Sequence, residues 1–76
     1  MPKLPVVKSK NLVRALKTIG FFELRQKSTS HLMMKHEDGR RTIIPIHSNK
    51  EIPKGTLLAI LKDIQITKEK LLSLLQ

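Results

Sequence analysis

The chain contains no cysteine. Disulfide staples, thiolate zinc sites and cysteine nucleophiles are therefore excluded together, and the core has to hold the fold unaided. Trp and Tyr are absent as well, and the two phenylalanines, Phe21 and Phe22, are adjacent. An aromatic stacking platform of the RRM or cold-shock type is accordingly not expected. The longest unbroken apolar run, Leu57 to Leu61, has five residues, far short of the ~20 that span a bilayer. The segment from Met1 to Lys8 has charge but no apolar stretch long enough for a secretory signal. No membrane partner is expected, and the expected location is the cytoplasm.

What is present suits one small globular domain covering residues 1–76, with 39% hydrophobic and 28% charged residues, at a size where a single core is marginally self-sufficient. Fifteen Lys and Arg against six Asp and Glu give a formal net charge of +9, spread along the whole chain. A polyanionic partner, nucleic acid above all, is the leading physical explanation.

Hydrophobic spacing divides the chain into elements. Leu12, Val13, Leu16 and Ile19 fall on one helical face, with Ser9 as the expected N-cap and Gly20 as the stop. The period then changes to two, with Phe22 and Leu24 alternating against Glu23 and Arg25 as in a half-buried strand. Two more strands are expected at about 31–36 and 41–46, joined by a turn at Asp38-Gly39. A two-residue loop there would mix polar and apolar side chains on both faces. A three-residue loop, Glu37-Asp38-Gly39 with Gly39 left-handed, sets His36 opposite Arg40 and Leu32 opposite Ile44. In that register Leu32, Met34, Ile44 and Ile46 share an apolar face continuous with Phe22 and Leu24. His31, Met33, Lys35, Arg41, Ile43 and His47 lie opposite. The second register is adopted because one buried face is what fixes strand pairing.

Residues 47–52 read as a loop, followed by a core-facing helix carrying Leu57, Leu58, Ile60, Leu61 and Ile64. Thr67 is placed to cap a last short helix whose Leu71, Leu72, Leu74 and Leu75 either close the core or dock on a partner. The expected core is Leu12, Leu16, Phe22, Leu24, Leu32, Met34, Ile44, Leu57, Leu58 and Leu61. The fold class is α+β in the order α-β-β-β-α, with two helices on one face of a three-stranded antiparallel sheet and a short C-terminal helix.

Three histidines are the only side chains whose ordinary pKa lies near neutrality. His31 and His36 are five apart on one strand and so point to opposite faces, which disfavours a shared metal site. The acidic pair Glu37 and Asp38 sits in the turn, and no glycine-rich phosphate loop is present. What remains is His31 with His47 on one sheet face, preceded by Ser30 and flanked by Lys35 and Arg41. An imidazole in such a setting can take a proton from a ribose 2′-hydroxyl while the cations hold the phosphate. That is ribonuclease chemistry without a metal or cofactor. A surface histidine with no function on a basic domain stands beside this reading.

The pieces Lys3-Leu4-Pro5, Leu16-Lys17-Thr18-Ile19-Gly20-Phe21, Arg25-Gln26-Lys27-Ser28-Thr29-Ser30-His31, Ile44-Pro45-Ile46-His47, Lys50-Glu51-Ile52-Pro53-Lys54-Gly55-Thr56-Leu57 and Ile60-Leu61-Lys62 together resemble the HicA family of small mRNA-cleaving toxins, the partners of HicB antitoxins. The resemblance covers nearly the whole chain. It implies a fold similar to a double-stranded-RNA-binding domain, mRNA as substrate, a HicB-like antitoxin as partner, and His31 as the catalytic histidine. Thr29 stands where the family usually has Gly, and Leu32 where a second His is frequent. On this reading His31 is the general acid or base and His47 the second proton-transfer group. Lys27, Ser30, Lys35 and Arg41 meet the RNA. A non-catalytic RNA-binding module of the same fold is the alternative, and a structural protein using its leucine-rich C-terminus is a third.

Overall fold

The computed structural model describes residues 3–28, 30–46 and 50–76, with residues 25–28 as backbone only. The order is α1 (Ser9–Lys17), β1 (Phe22–Ser28), β2 (His31–Lys35), β3 (Arg41–Pro45), α2 (Lys54–Ile64) and α3 (Lys68–Leu74). The strands form one antiparallel sheet in the order β1-β2-β3. This is the α+β layout expected from the sequence. Both α1 and α2 lie against β3.

The β2–β3 register is the three-residue-loop solution. Leu32 pairs with Ile44, the His36 N–H donates to the Arg40 carbonyl at 2.8 Å, and Gly39 has φ +99°. Alternation then buries Leu32, Met34, Thr42 and Ile44 on the helix side and turns His31, Met33, Lys35, Arg41 and Ile43 outward. Thr42 is the polar member of the inner set. Its hydroxyl donates to the Asp63 carboxylate on α2 at 3.0 Å, so its burial leaves no orphaned group.

Helix α1 ends as its sequence suggests but begins differently. Lys8, not Ser9, is the cap residue, and no side chain caps the helix. The Ser9 hydroxyl instead donates to the Pro45 carbonyl and ties the start of α1 to the end of β3. At the other end Gly20 has φ +98°, Phe21 N–H bonds the Leu16 carbonyl at 3.1 Å, and Gly20 N–H bonds that of Lys17 at 3.2 Å. These are the paired bonds of a Schellman stop. The apolar contact that goes with it is made by Phe21, which is buried together with Leu16.

That geometry corrects three core assignments. Phe21 fills the core, so Phe22 begins β1 facing outward, opposite Lys35, and is 41% exposed. Leu24 is the extra residue of a bulge between Glu23 and Arg25 and is 51% exposed. Leu58 is exposed because α2 buries the stripe Leu57, Ile60, Leu61 and Ile64, from which Leu58 is rotated by one residue. The remaining expected core residues are buried.

Residues outside the regular elements complete the core. Val7 and Ile52 are buried, and the Ile52 N–H donates to the Val7 carbonyl at 2.8 Å beside a bridge between Lys8 and Glu51. Leu71 is fully buried and Leu75 packs on the core, so these two of the four C-terminal leucines close the domain. Thr67 caps α3 as expected, accepting from the Lys70 N–H at 3.1 Å.

Helix α2 ends in the same type of stop with Gln65 at φ 56°. The Ile66 N–H bonds the Leu61 carbonyl at 3.1 Å, and the Gln65 N–H bonds that of Lys62 at 3.3 Å. The two helix ends should therefore respond in opposite senses to substitution. Gly20→Ala puts a Cβ in the left-handed region and 2.8 Å from the His36 Nε2, and should destabilise by about 1–3 kcal/mol. Gln65→Gly removes the left-handed penalty at an exposed site and should stabilise by about 0.5–1 kcal/mol. Urea unfolding midpoints of the two variants give both signs.

Candidate functional site

The outward face of the sheet is organised as rows of paired residues. Phe22, Lys35 and Arg41 form one row across β1, β2 and β3. Met33 and Ile43 lie in the next, with Arg25 as the β1 partner of Met33. His31 and Pro45 lie in the last, with Ser28 as the β1 partner of His31. For Phe22, Lys35 and Arg41, and for the pairs between β2 and β3, direct pairing gives a shared face and adjacent side chains.

His31 is exposed at the start of β2. Its Nδ1 lies 3.2 Å from the Ser30 Oγ, a hydrogen bond whose direction follows the ring tautomer. Ser30 is itself held at the start of the central strand, because its carbonyl accepts from the Ile46 N–H at 2.7 Å. Lys35 and Arg41 are paired with each other at the opposite end of the face. Lys35 lies four residues along β2 from His31, about 13 Å of backbone. The face is shared, but the cations do not crowd the ring. Lys27 occupies the second β1 bulge, between Gln26 and Ser28, next to the residue paired with His31. His47 and Thr29 lie outside the described residues.

The middle histidine has a different setting. His36 follows β2 on the helix side, and its Nδ1 accepts from the Asp38 N–H at 3.1 Å. Nδ1 also lies 3.2 Å from Asp38 Oδ1, and the other ring nitrogen is Nε2. That nitrogen lies 3.1 Å from the Ile19 carbonyl, to which it donates. The ring meets Phe21 edge-on at 5.0 Å between centroids. The Arg40 guanidinium sits 5.1 Å from the Phe21 centroid and donates to the Ile64 carbonyl and the Asp38 carboxylate, each at 2.8 Å. This cluster joins the ends of α1 and α2 to the β2–β3 turn. The Arg40 backbone N–H, bonded to Asp38 Oδ1, holds the Asp38 carboxyl below its ordinary range, aided by the Arg40 side chain. Because the folded value is the lowered one, its contribution is complete above the unfolded carboxylate range. It is lost as pH falls through the folded value.

Sequence reasoning missed Phe22 on the outward face. The signal was available in Gly20, since the residue after a left-handed helix stop is the one that makes the apolar contact. That assigns the core position to Phe21. Among the described residues, no three His, Asp or Glu side chains converge as a metal site, and no helix is long and apolar enough to cross a membrane.

These features define a small, strongly basic α+β domain with one covered sheet face and one open face bearing a serine-bonded histidine. The family model described as the HicA toxin of bacterial toxin-antitoxin systems matches residues 9–66, from α1 to the residue after the α2 stop, and the chain belongs to that family. No curated protein matches the chain closely. Membership in a toxin–antitoxin family implies a cognate antitoxin as partner.

The two described histidines should separate by stability alone. His36→Ala loses a hydrogen bond and the edge contact with Phe21 and should cost about 1–3 kcal/mol. His31→Ala, on the exposed face, should leave the thermal midpoint within about 2 °C of the parent. Asp38→Asn should flatten the acid limb of stability against pH, measured by thermal unfolding from neutral pH down to below the carboxylate range.

Proposed function

We propose that the chain is an endoribonuclease toxin that cleaves mRNA in the cytoplasm and is inhibited by a HicB-like antitoxin covering its open sheet face. The observation that carries this reading is His31, exposed and hydrogen-bonded to Ser30 on a basic face, in a chain of the HicA family. In the reaction the ribose 2′-oxygen gives up its proton and forms a bond to the adjacent phosphorus. The bond from phosphorus to the 5′-oxygen breaks, and that oxygen takes a proton. The products are a 2′,3′-cyclic phosphate and a 5′-hydroxyl. Two proton-transfer groups suffice, with His31 as one and His47 as the other.

Ser30 orients the His31 ring through Nδ1, so proton exchange with the RNA is assigned to Nε2. Lys27 stands nearest the reacting phosphate by its place in the strand. Lys35 and Arg41 hold the RNA backbone further along. Offsetting the charge that develops on the phosphate is assigned to Lys27 alone among these cations, and the chemistry is read as requiring no metal ion. The competing reading, an RNA-binding module without catalysis, uses the same cations and leaves His31 idle.

His31→Ala distinguishes them. Cleavage of RNA should fall by about a hundred- to ten-thousandfold, with RNA affinity and fold retained and growth restored in cells expressing the toxin without antitoxin. Parent activity should persist in EDTA, and log affinity should fall with log salt at about 0.7 per phosphate contacted. A folded His31→Ala protein that cleaves as fast as the parent overturns the assignment of the site.

A further inference from the structure

Phe22 is a large aromatic side chain left 41% exposed, in line with the only two described cations of β2 and β3 that share the outward face, Lys35 and Arg41. Ile43, 43% exposed, and half-buried Met33 continue the apolar surface toward His31. No acidic residue lies in these rows among the described residues. Glu23, the neighbour of Phe22, is turned to the helix side, where it pairs with Lys17 of α1. An exposed aromatic ring bordered by cations is a surface that binds a flat, apolar group attached to an anionic chain.

We propose that Phe22, with Met33 diagonal to it on β2 and Ile43 beyond on β3, forms a stacking subsite for one unpaired nucleobase of single-stranded RNA. The adjoining phosphates lie on Lys35 and Arg41, and the strand runs along β2 to His31. The subsite rests on the reading of the domain as an RNA-cleaving toxin and names the form of RNA it takes. A duplex hides the faces of its bases and offers phosphates and 2′-hydroxyls, which have no use for an aromatic ring. A single strand presents base faces, and ring–base stacking beside a basic groove binds it with little dependence on sequence. An acidic protein would also seek the two cations. RNA is favoured because Phe22, Met33 and His31 belong to one continuous face that ends on the proposed reacting group.

The chain has no Trp, so Phe22→Trp introduces a single fluorophore at the subsite. In a His31→Ala background, which keeps the probe intact, octauridylate should quench its emission. An octamer of equal charge with abasic residues at its centre should bind more weakly and quench little, and an RNA duplex should not quench. Without the tryptophan, Phe22→Ser should weaken octauridylate binding about tenfold while leaving duplex binding unchanged. Phe22→Tyr should restore affinity, and thermal unfolding should show all variants folded.

Equal octauridylate affinity of Phe22→Ser and the parent, with tryptophan emission unmoved, overturns the subsite while leaving the ribonuclease reading intact. If Phe22→Ser loses only co-purification with the co-expressed antitoxin, the face is a protein contact and the proposal is also wrong. If the parent neither binds nor cleaves RNA, the ribonuclease reading falls and the subsite falls with it.

Discussion

Gly20, held at φ +98° at the end of α1, sends Phe21 into the core and Phe22 to the opposite side of the sheet. Much of the molecule depends on that reversal. Phe21 becomes the surface on which His36 and Arg40 pack, and through them the ends of α1 and α2 are tied to the β2–β3 turn. No side chain other than hydrogen fits at position 20, because a Cβ there would meet the His36 ring at 2.8 Å. The stop, the aromatic contact and the turn are thus one structural unit built from residues distant in sequence.

The electrostatics follow from how the few acids are used. Asp38 is engaged by Arg40, Glu23 by Lys17, and Asp63 by the Thr42 hydroxyl. Each of these contacts lies in the turn or on the helix side of the sheet. Among the described residues, no ion pair engages Lys35 or Arg41 on the outward face. The exposed Lys17–Glu23 and Arg40–Asp38 pairs contribute little to stability. Their larger consequence is where they leave the field.

His31 and His36 show how the same side chain takes two roles according to face. His36 has both ring nitrogens committed to backbone groups and its edge against an aromatic ring, which makes it part of the frame. His31 stands on the open side with a serine hydroxyl at Nδ1. Their odd separation of five residues, read from the sequence, is what sends them to opposite sides.

The sequence by itself determined the element order, the β2–β3 register and the side of the sheet on which His31 lies. Each of these follows from local periodicity or from a turn whose glycine tolerates a left-handed backbone, and such signals are complete within a few neighbouring residues. The same holds for the Thr67 cap and for the buried stripe of α2, apart from Leu58. Only the tertiary structure decided that Phe21 and not Phe22 enters the core, that β1 bulges at Leu24, and that Val7 and Ile52 join the core from segments without periodicity. It also decided that Ser9 reaches Pro45 instead of capping its own helix. In the candidate site, alternation placed Lys35 and Arg41 on the face of His31, but their position at its far end depends on pairing across β2 and β3. Long-range partners set these features, because a hydroxyl or an aromatic ring is satisfied by whichever group the packed chain brings within reach.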